Sequence, residues 1–482
     1  MKVAVIGSGC AGLATTWALS EHSDHEVDLF EVEDRPGGHA NTVAFEKPGN
    51  AEAVDVDTGF IVLNPTTYPN FLRFLKLKNV KILPTEMTFS VSRDRGLFEW
   101  AGKNLFTVFC QPSRLLDSRM WALIYDVLRF NACARWLLQA SEQQFNKLSI
   151  GQYLHENNYS SYFIDNYLIP MTAAIWSTPP EKCALDFPAQ TLIQFMHNHH
   201  LLQITGKPSW LTIKGGSKVY VNKIISALNK ERLHLSTRVT SVRSSEAGVQ
   251  LQTADGTTRT FDHVIIACHS DTALQILRSG NITPDEERIL GQFDWNKNEA
   301  VLHYDTQLMP KSRIAWSCWN YLSSSERNDW MNDLQHIPEK KYGPIFVTLN
   351  PPFEPKKDTI IGRWEYEHPI LDAKAVEAQA EIHKIQYVPG RNISFAGAYL
   401  RFGFHEDGFT SGIRVAERLG ASLPFQILDP DREITYMPLA KAFDAFEYLG
   451  FRIVIGSIFS WILYFVRIPL GMLVDLSYLE NE

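Results

Sequence analysis

The sequence lacks the features that mark several common protein classes. Its 482 residues hold six cysteines, at 10, 110, 133, 183, 268 and 318, with no CxxC and no Cys/His cluster at zinc spacing. Neither a disulfide framework nor a metal site is expected, and the thiols read as reduced ones in a cytosol-facing protein. An excess of positive charge is missing too: 46 Lys and Arg stand against 54 Asp and Glu, a formal net charge of -8. No basic field exists to neutralise phosphates, which excludes nucleic acid as the main partner. Internal repeats and low-complexity stretches are absent. No leader-like stretch precedes the first apolar run, so the expectation is a protein that is not secreted.

What is present begins almost at the first residue. Val3 to Ile6 is a short apolar run of the kind that forms a buried parallel strand. Gly7, Gly9 and Gly12 follow as G-x-G-x-x-G, then a helical pattern, LATTWALSEHS, and a second strand, EVDLFEV. Gly7 allows the tight strand-to-helix turn, Gly9 lets backbone approach a pyrophosphate, and Gly12 lets the helix pack close to the sheet. Cys10 and Ala11, between the last two glycines, complete the expected phosphate-binding loop at the positive end of a helix. Glu31, about 20 residues on, suits the ribose hydroxyls and would repel a 2'-phosphate. The set implies a dinucleotide other than NADP.

After Glu31 the chain reads VEDRPGGHANT. This resembles the D-R-x-G-G segment of the flavin-dependent amine oxidase and phytoene desaturase superfamily, which runs along the FAD pyrophosphate. The resemblance assigns charge to Arg35 and close backbone approach to Gly37 and Gly38. Where many members have arginine after the double glycine, this chain has His39. Two distant blocks resemble the same superfamily. Residues 213–270 hold a glycine pair opening a helix, a strand ending near Val239 and Val242, a hairpin at Asp255-Gly256 and a buried strand from His263 to Cys268. The resemblance gives the backbone of Val239 to the adenine. Residues 393–418 carry Gly397, a loop and a helix starting around Asp407-Gly408, with Ser411 and Gly412 on its first turns. Such a helix N-terminus stabilises the negative charge on a reduced flavin. FAD is therefore the expected cofactor.

The motif order implies an α/β fold: a Rossmann-like FAD-binding domain interleaved with a mixed-sheet plus helical substrate domain, and a C-terminal hydrophobic helical tail. The FAD domain is expected at 1–75, 205–270 and 385–425, and the substrate domain at 76–204 and 271–384. The first insert reads as mostly helical, as in RMWALIYDVLRFNACARWLLQASEQQF. The second carries the strand-like runs EAVLHYD, PIFVTLN and TIIGRWEYE.

Several stretches, among them VDTGFIVLNPTTYPNF and GAYLRFGFHEDGF, are similar to a narrower group of FAD-binding proteins associated with cyclopropane fatty acid synthases. That resemblance implies redox chemistry on an apolar, fatty-acyl or other lipid substrate. The alternatives left open are an amine or amino acid oxidase, and a non-catalytic flavin-fold partner of a lipid-modifying enzyme. Trp316, Trp319, Tyr399, Phe402, Phe404 and Phe409 are aromatic residues suited to line an apolar substrate site beside the flavin. His405 is the candidate general base, because imidazole titrates near neutrality. Glu406 and Asp407 read mainly as helix-capping acids, and Asp407 and Gly408 also belong to the expected flavin-binding turn.

From residue 431 the composition shifts. IVIGSIFSWILYFV, residues 453–466, has no charge; Arg467 and Pro469 then interrupt a run that reaches Val474. About 20 apolar residues make a span. Three readings follow: an interfacial or embedded membrane anchor, a single span, or a soluble helix packed on the protein body or a partner.

Overall fold

A computed structural model describes residues 1–47, 49, 52–139, 148–176, 185–203, 209–322, 327–429 and 437–471. Cys183, the end of the expected helical run 119–145, the start of the second nucleotide segment at 205–208 and the tail residues 431–436 and 472–482 lie outside the described residues. The chain forms two units. The first combines Met1–Thr85, Trp210–Lys297 and Glu365–Pro430; the second combines Glu86–Ser209, Asn298–Trp364 and Asp431–Glu482.

The first unit is built on a five-stranded parallel sheet in the order Leu233–His234, Glu26–Phe30, Lys2–Ile6, His263–Ile266, Ile393–Phe395. Its central strand alternates between two cores. Val3 and Val5 face one core, shared with Leu13 and Trp17 of the Cys10–His22 helix, while Ala4 and Ile6 face the other. The period of two explains why this strand is apolar without a break: both faces are covered. A three-stranded antiparallel sheet, Val239–Ser245, Gly248–Thr253 and Thr258–Phe261, follows in the chain. Val239 opens its strand rather than ending it, and Gly256, at φ +85°, makes the expected hairpin turn.

The first unit also takes residues 76–85, 271–297 and 365–384, which sequence reading assigns to the substrate domain. The reason is pairing and packing. Ile82–Thr85 joins Trp210–Ile213 in a small sheet, and the helices Ser270–Arg278, Pro284–Leu290 and Ala373–Glu381 bury Leu274, Ile289 and Ala375 in the core beneath Ala4 and Ile6.

The second unit holds most of a seven-stranded mixed sheet in the order Ile360–Pro369, Trp295–His303, Phe346–Leu349, Arg327–Trp330, Trp319–Leu322, Phe89–Arg93, Phe98–Ala101. The three strand-like runs of the second insert are all strands of it. The first insert contributes helices, as expected, and two strands as well. Its Ser118–Cys133 helix packs Phe130 against Tyr159 and Phe163. The tail continues as helices Pro438–Tyr448 and Phe451–Gly471.

Candidate functional site

The glycine loop has the backbone its spacing demands. Gly7 lies at φ +100°, and a Cβ there would sit 2.9 Å from the Ala267 carbonyl oxygen. A Cβ on Gly12 would sit 1.8 Å from the Gly7 carbonyl oxygen, so the helix can pack only on glycine. Gly9 differs: a Cβ there would meet nothing within 4 Å. Gly9 caps the Cys10–His22 helix with no side-chain hydrogen bond, and the first turn, with Cys10 and Ala11, carries no acid. A bare helix N-terminus therefore opens onto clear space, which suits a diphosphate.

Glu31 closes the loop from below. Its Oε2 accepts from Ser8 N at 2.8 Å and Ser8 Oγ at 2.6 Å, and its Oε1 accepts from Glu33 N at 2.9 Å. The segment leading to Val239 is tied to the same place, with Thr237 N donating to the Glu31 carbonyl at 2.7 Å. Ser8 is a site residue that sequence reading missed. Its only signal was a hydroxyl between two motif glycines.

The double glycine meets the first loop. Gly37 N donates to the Ser8 carbonyl at 3.0 Å, and a Cβ on Gly38 would lie 3.2 Å from Gly9 Cα. Gly38 has φ +55°, and Arg35 Nη1 donates to its carbonyl at 3.1 Å, holding positive charge at the loop. His39 stacks on Tyr366 with centroids 4.9 Å apart and lies 5.2 Å from His368. Its Nε2 is buried without a hydrogen-bond partner. Burial, then the nearby His269 and Arg35, push this imidazole down to about 4, so it is neutral at physiological pH.

The third segment brings a second helix N-terminus to the same place. The helix runs His405–Arg418, beginning two residues earlier than expected. Phe404 is its N-cap residue, and Asp407 Oδ2 accepts from Phe404 N at 2.9 Å. Cys10 Sγ donates to the His405 carbonyl at 3.2 Å. Gly408 faces Cys10 and Ala11, where a Cβ would make ordinary contacts at 3.6 Å or more. The close crossing falls on Gly412 instead, whose Cβ would lie 2.2 Å from the Ala11 carbonyl oxygen. Two partial positive charges thus converge.

His405 sits among rings. It stacks on Phe60 at 3.8 Å and 9°, meets Phe71 edge-on at 5.1 Å, and shares a 2.7 Å hydrogen bond between Nε2 and the Tyr220 hydroxyl. Burial, and then the proximity of His39, push it down to about 3. The premise that made it a general base, a titration near neutrality, therefore fails: its apolar surroundings disfavour the imidazolium. Glu406 is buried and accepts from Asn70 N and Phe71 N, both at 2.9 Å. It caps the Pro69–Leu77 helix, which has no side-chain cap of its own. Burial raises its carboxyl to about 8 against those two bonds.

Clear space before Gly9, facing glycine loops, two converging helix N-termini and an orphaned His39 nitrogen together fit FAD. A family model for flavin containing amine oxidoreductases matches residues 10–330. The chain belongs to that family. As a flavin amine oxidoreductase it is an FAD-dependent enzyme. Its fold is shared with solved structures. A CLA-producing fatty acid isomerase from P. acnes aligns over 87% of this chain and 98% of its own at TM-score 0.61 and 14% identity. A putrescine oxidase bound to putrescine aligns over 87% and 99% at TM-score 0.59 and 14% identity. The cyclohexylamine oxidase of Brevibacterium oxydans IH-35A aligns over 87% and 99% at TM-score 0.58 and 16% identity. No curated protein sequence matches the chain significantly.

The aromatic expectations for this flavin amine oxidoreductase divide. Tyr399 is a core residue, 1% exposed, packed against Phe293 at 4.9 Å and Trp295 at 5.9 Å. It does not present a surface to substrate. Its ring folds back over Gly397, where a Cβ would lie 2.3 Å from it, so Gly397 is glycine to admit that ring. Phe409 is likewise core, packed on Phe71, Phe74 and Trp17. Trp316 and Trp319 belong to the second unit. Trp316 is committed there, with Arg313 3.6 Å above its ring, Trp330 and Phe346 each 5.6 Å away, and its Nε1 donating to Pro310 O at 2.8 Å. Trp319 keeps its Nε1 buried without a hydrogen-bond partner. Tyr220, Phe60 and Phe71, which surround His405, were missed. The pattern offered only an aromatic on a helix after the 215–216 glycine pair, and Phe60 and Phe71 within the stretch 56–71.

Proposed function

We propose that this enzyme oxidises an apolar, fatty-acyl or other lipid substrate by removing a hydride next to bound FAD. One observation carries the reading: the first turn of the His405–Arg418 helix is surrounded by aromatic rings, while both of its carboxylates are tied to backbone N–H groups, Glu406 to Asn70 and Phe71, Asp407 to Phe404. No free acid is left there to recognise a substrate cation. The resemblance to the group associated with cyclopropane fatty acid synthases supports the same substrate class, and a membrane-associated enzyme would meet such substrates directly.

FAD, when bound, supplies the hydride acceptor. The protein does the rest. Gly9 and Gly38 admit the diphosphate, with Gly7, Gly12, Cys10 and Ala11 shaping that loop; Arg35 and the two helix ends balance its charge. Glu31 receives the ribose and Val239 the adenine. Gly397, Asp407 and Gly408 shape the flavin turn. His39 offers its neutral Nε2 as a hydrogen-bonding atom. His405, neutral and held by Tyr220, positions rather than abstracts a proton. Phe404, the N-cap residue of the flavin helix, is the proposed contact to substrate.

Ring faces also attract ammonium groups, so the aromatic set around His405 favours amine oxidation as the second reading. The deciding experiment is anaerobic titration of the purified flavoprotein with acyl lipids and, separately, with polyamines and amino acids. Bleaching of the flavin's visible band by acyl lipids supports the proposal. Bleaching by amines alone overturns it, and a flavin that no substrate reduces points to a non-catalytic partner.

A further inference from the structure

The C-terminal helix turns its charges inward. Eighteen residues within the stretch Phe451–Leu470 have a mean hydropathy of 1.9, and the stretch contains no acid. Within it, only Arg452, Phe459, Leu463 and Arg467 are shielded from solvent. Their spacing places them on one helical face.

That face is docked on the second unit at both ends. Arg452 Nη1 donates to the Asn158 carbonyl at 2.9 Å, and its Nε pairs with Glu447 at 3.1 Å. Phe459 meets the edge of Trp121 at 5.7 Å. Arg467 Nε donates to the Leu116 carbonyl at 2.8 Å, and its Nη2 lies 3.9 Å from Asp117. About 22 Å of helix separates the two arginines. The helix is therefore fastened lengthwise along the unit instead of projecting from it.

The rest of the helix faces outward, uncharged. Ile453 is 70% exposed, Trp461 63% and Phe465 60%. A partner helix would cover a stripe about 100° wide, so a second copy would leave most of this surface wet. A helix apolar around most of its circumference suits surroundings that are apolar on all those sides. The apolar surface also continues past the helix. Phe109 packs on Trp121 at 5.1 Å, and the adjoining Leu105–Val108 turn exposes Leu105 and Phe106 at 72% and 71%.

We infer that Phe451–Gly471 lies in the plane of a lipid bilayer surface, with its outward face among the acyl chains, and docks the enzyme without crossing the membrane. This deepens the membrane association proposed above and is independent of the substrate. Both arginines are engaged with the protein and the chain is net acidic, so the attraction is apolar. Adhesion must then ignore lipid charge and salt.

The test uses the full chain with a C-terminal affinity tag and sealed vesicles of phosphatidylcholine alone or with phosphatidylglycerol. The enzyme is expected to float equally with both, and still in about 1 M salt, where screening acts within about 3 Å. Protease added outside should remove the tag completely. The double variant Ile458→Glu, Phe465→Glu should stop floating while keeping its flavin absorbance, which separates loss of docking from loss of the flavin fold. A tag protected inside the vesicles means a span and overturns the inference. So does a chain that ignores vesicles and scatters light as a dimer, or one that floats only with anionic lipid at low salt.

Discussion

The Tyr220 hydroxyl lies 2.7 Å from His405 Nε2, across 185 positions of sequence. This bond, with Phe60 stacked on the imidazole, fixes a neutral ring at the start of the flavin helix. Tyr220→Phe removes the partner and leaves a buried nitrogen unsatisfied, at about 1–3 kcal/mol. Thermal unfolding of the variant should show that loss. The pH dependence of flavin reduction should carry no limb from His405 between about pH 5 and 8, and His405→Gln should leave the shape of that profile unchanged.

The glycines separate cofactor binding from folding. Gly9→Ala places a methyl in clear space at a φ of -63°, in extended backbone that any L residue adopts. The apoprotein should unfold at the wild-type temperature, while FAD affinity, measured by fluorescence titration, falls by about tenfold or more, about 1.4 kcal/mol. Gly412→Ala drives a methyl into the Ala11 carbonyl, and overpacking of this kind costs about 1–3 kcal/mol. Here the apoprotein itself should melt lower.

Glu406 is a structural acid. Glu406→Ala leaves Asn70 N and Phe71 N without acceptors inside the protein, again at about 1–3 kcal/mol for an unsatisfied buried donor. Denaturant midpoints should fall. If substrate turnover vanished with no change in stability, the capping role would be wrong.

Acid should destabilise both units through buried histidines. His263, bonded to Ser394 at 2.9 Å, and His303, bonded to Thr348 at 2.6 Å, are both pushed from 6.5 down to about 4 by burial. The folded state binds these protons less readily than the unfolded one. Their stabilisation is whole above pH 6.5 and is lost as pH falls towards 4, at up to about 3 kcal/mol each. Melting temperatures between those limits should decline for the wild type and less steeply for His303→Gln.

Local spacing accounts for what was readable in advance. Gly7, Gly9, Gly12 and Glu31 lie within one strand-loop-helix-strand unit, and each answers to a backbone need that one stretch of chain can express. A helix start near Asp407 and Gly408 was legible for the same reason, although the helix begins at His405 and the close crossing falls at Gly412. The domain limits were less so, because Ser270–Arg278 and Ala373–Glu381 join the nucleotide-binding unit by burying side chains under a strand far away in the chain. Aromatic residues were the least legible. Nothing local distinguishes Tyr399, folded into the core over Gly397, from Phe60, laid against His405.

The sequence by itself determined the dinucleotide loop, the FAD family, the parallel sheet and the apolar run at the C-terminus, because glycine spacing and hydrophobic period act over a few residues. Only tertiary structure decided that His405 is neutral, that Glu406 caps a helix more than 300 positions away, and that Arg452 and Arg467 lay the last helix flat. Each of these depends on desolvation or pairing by partners distant in the chain, and burial exists only once the chain has folded.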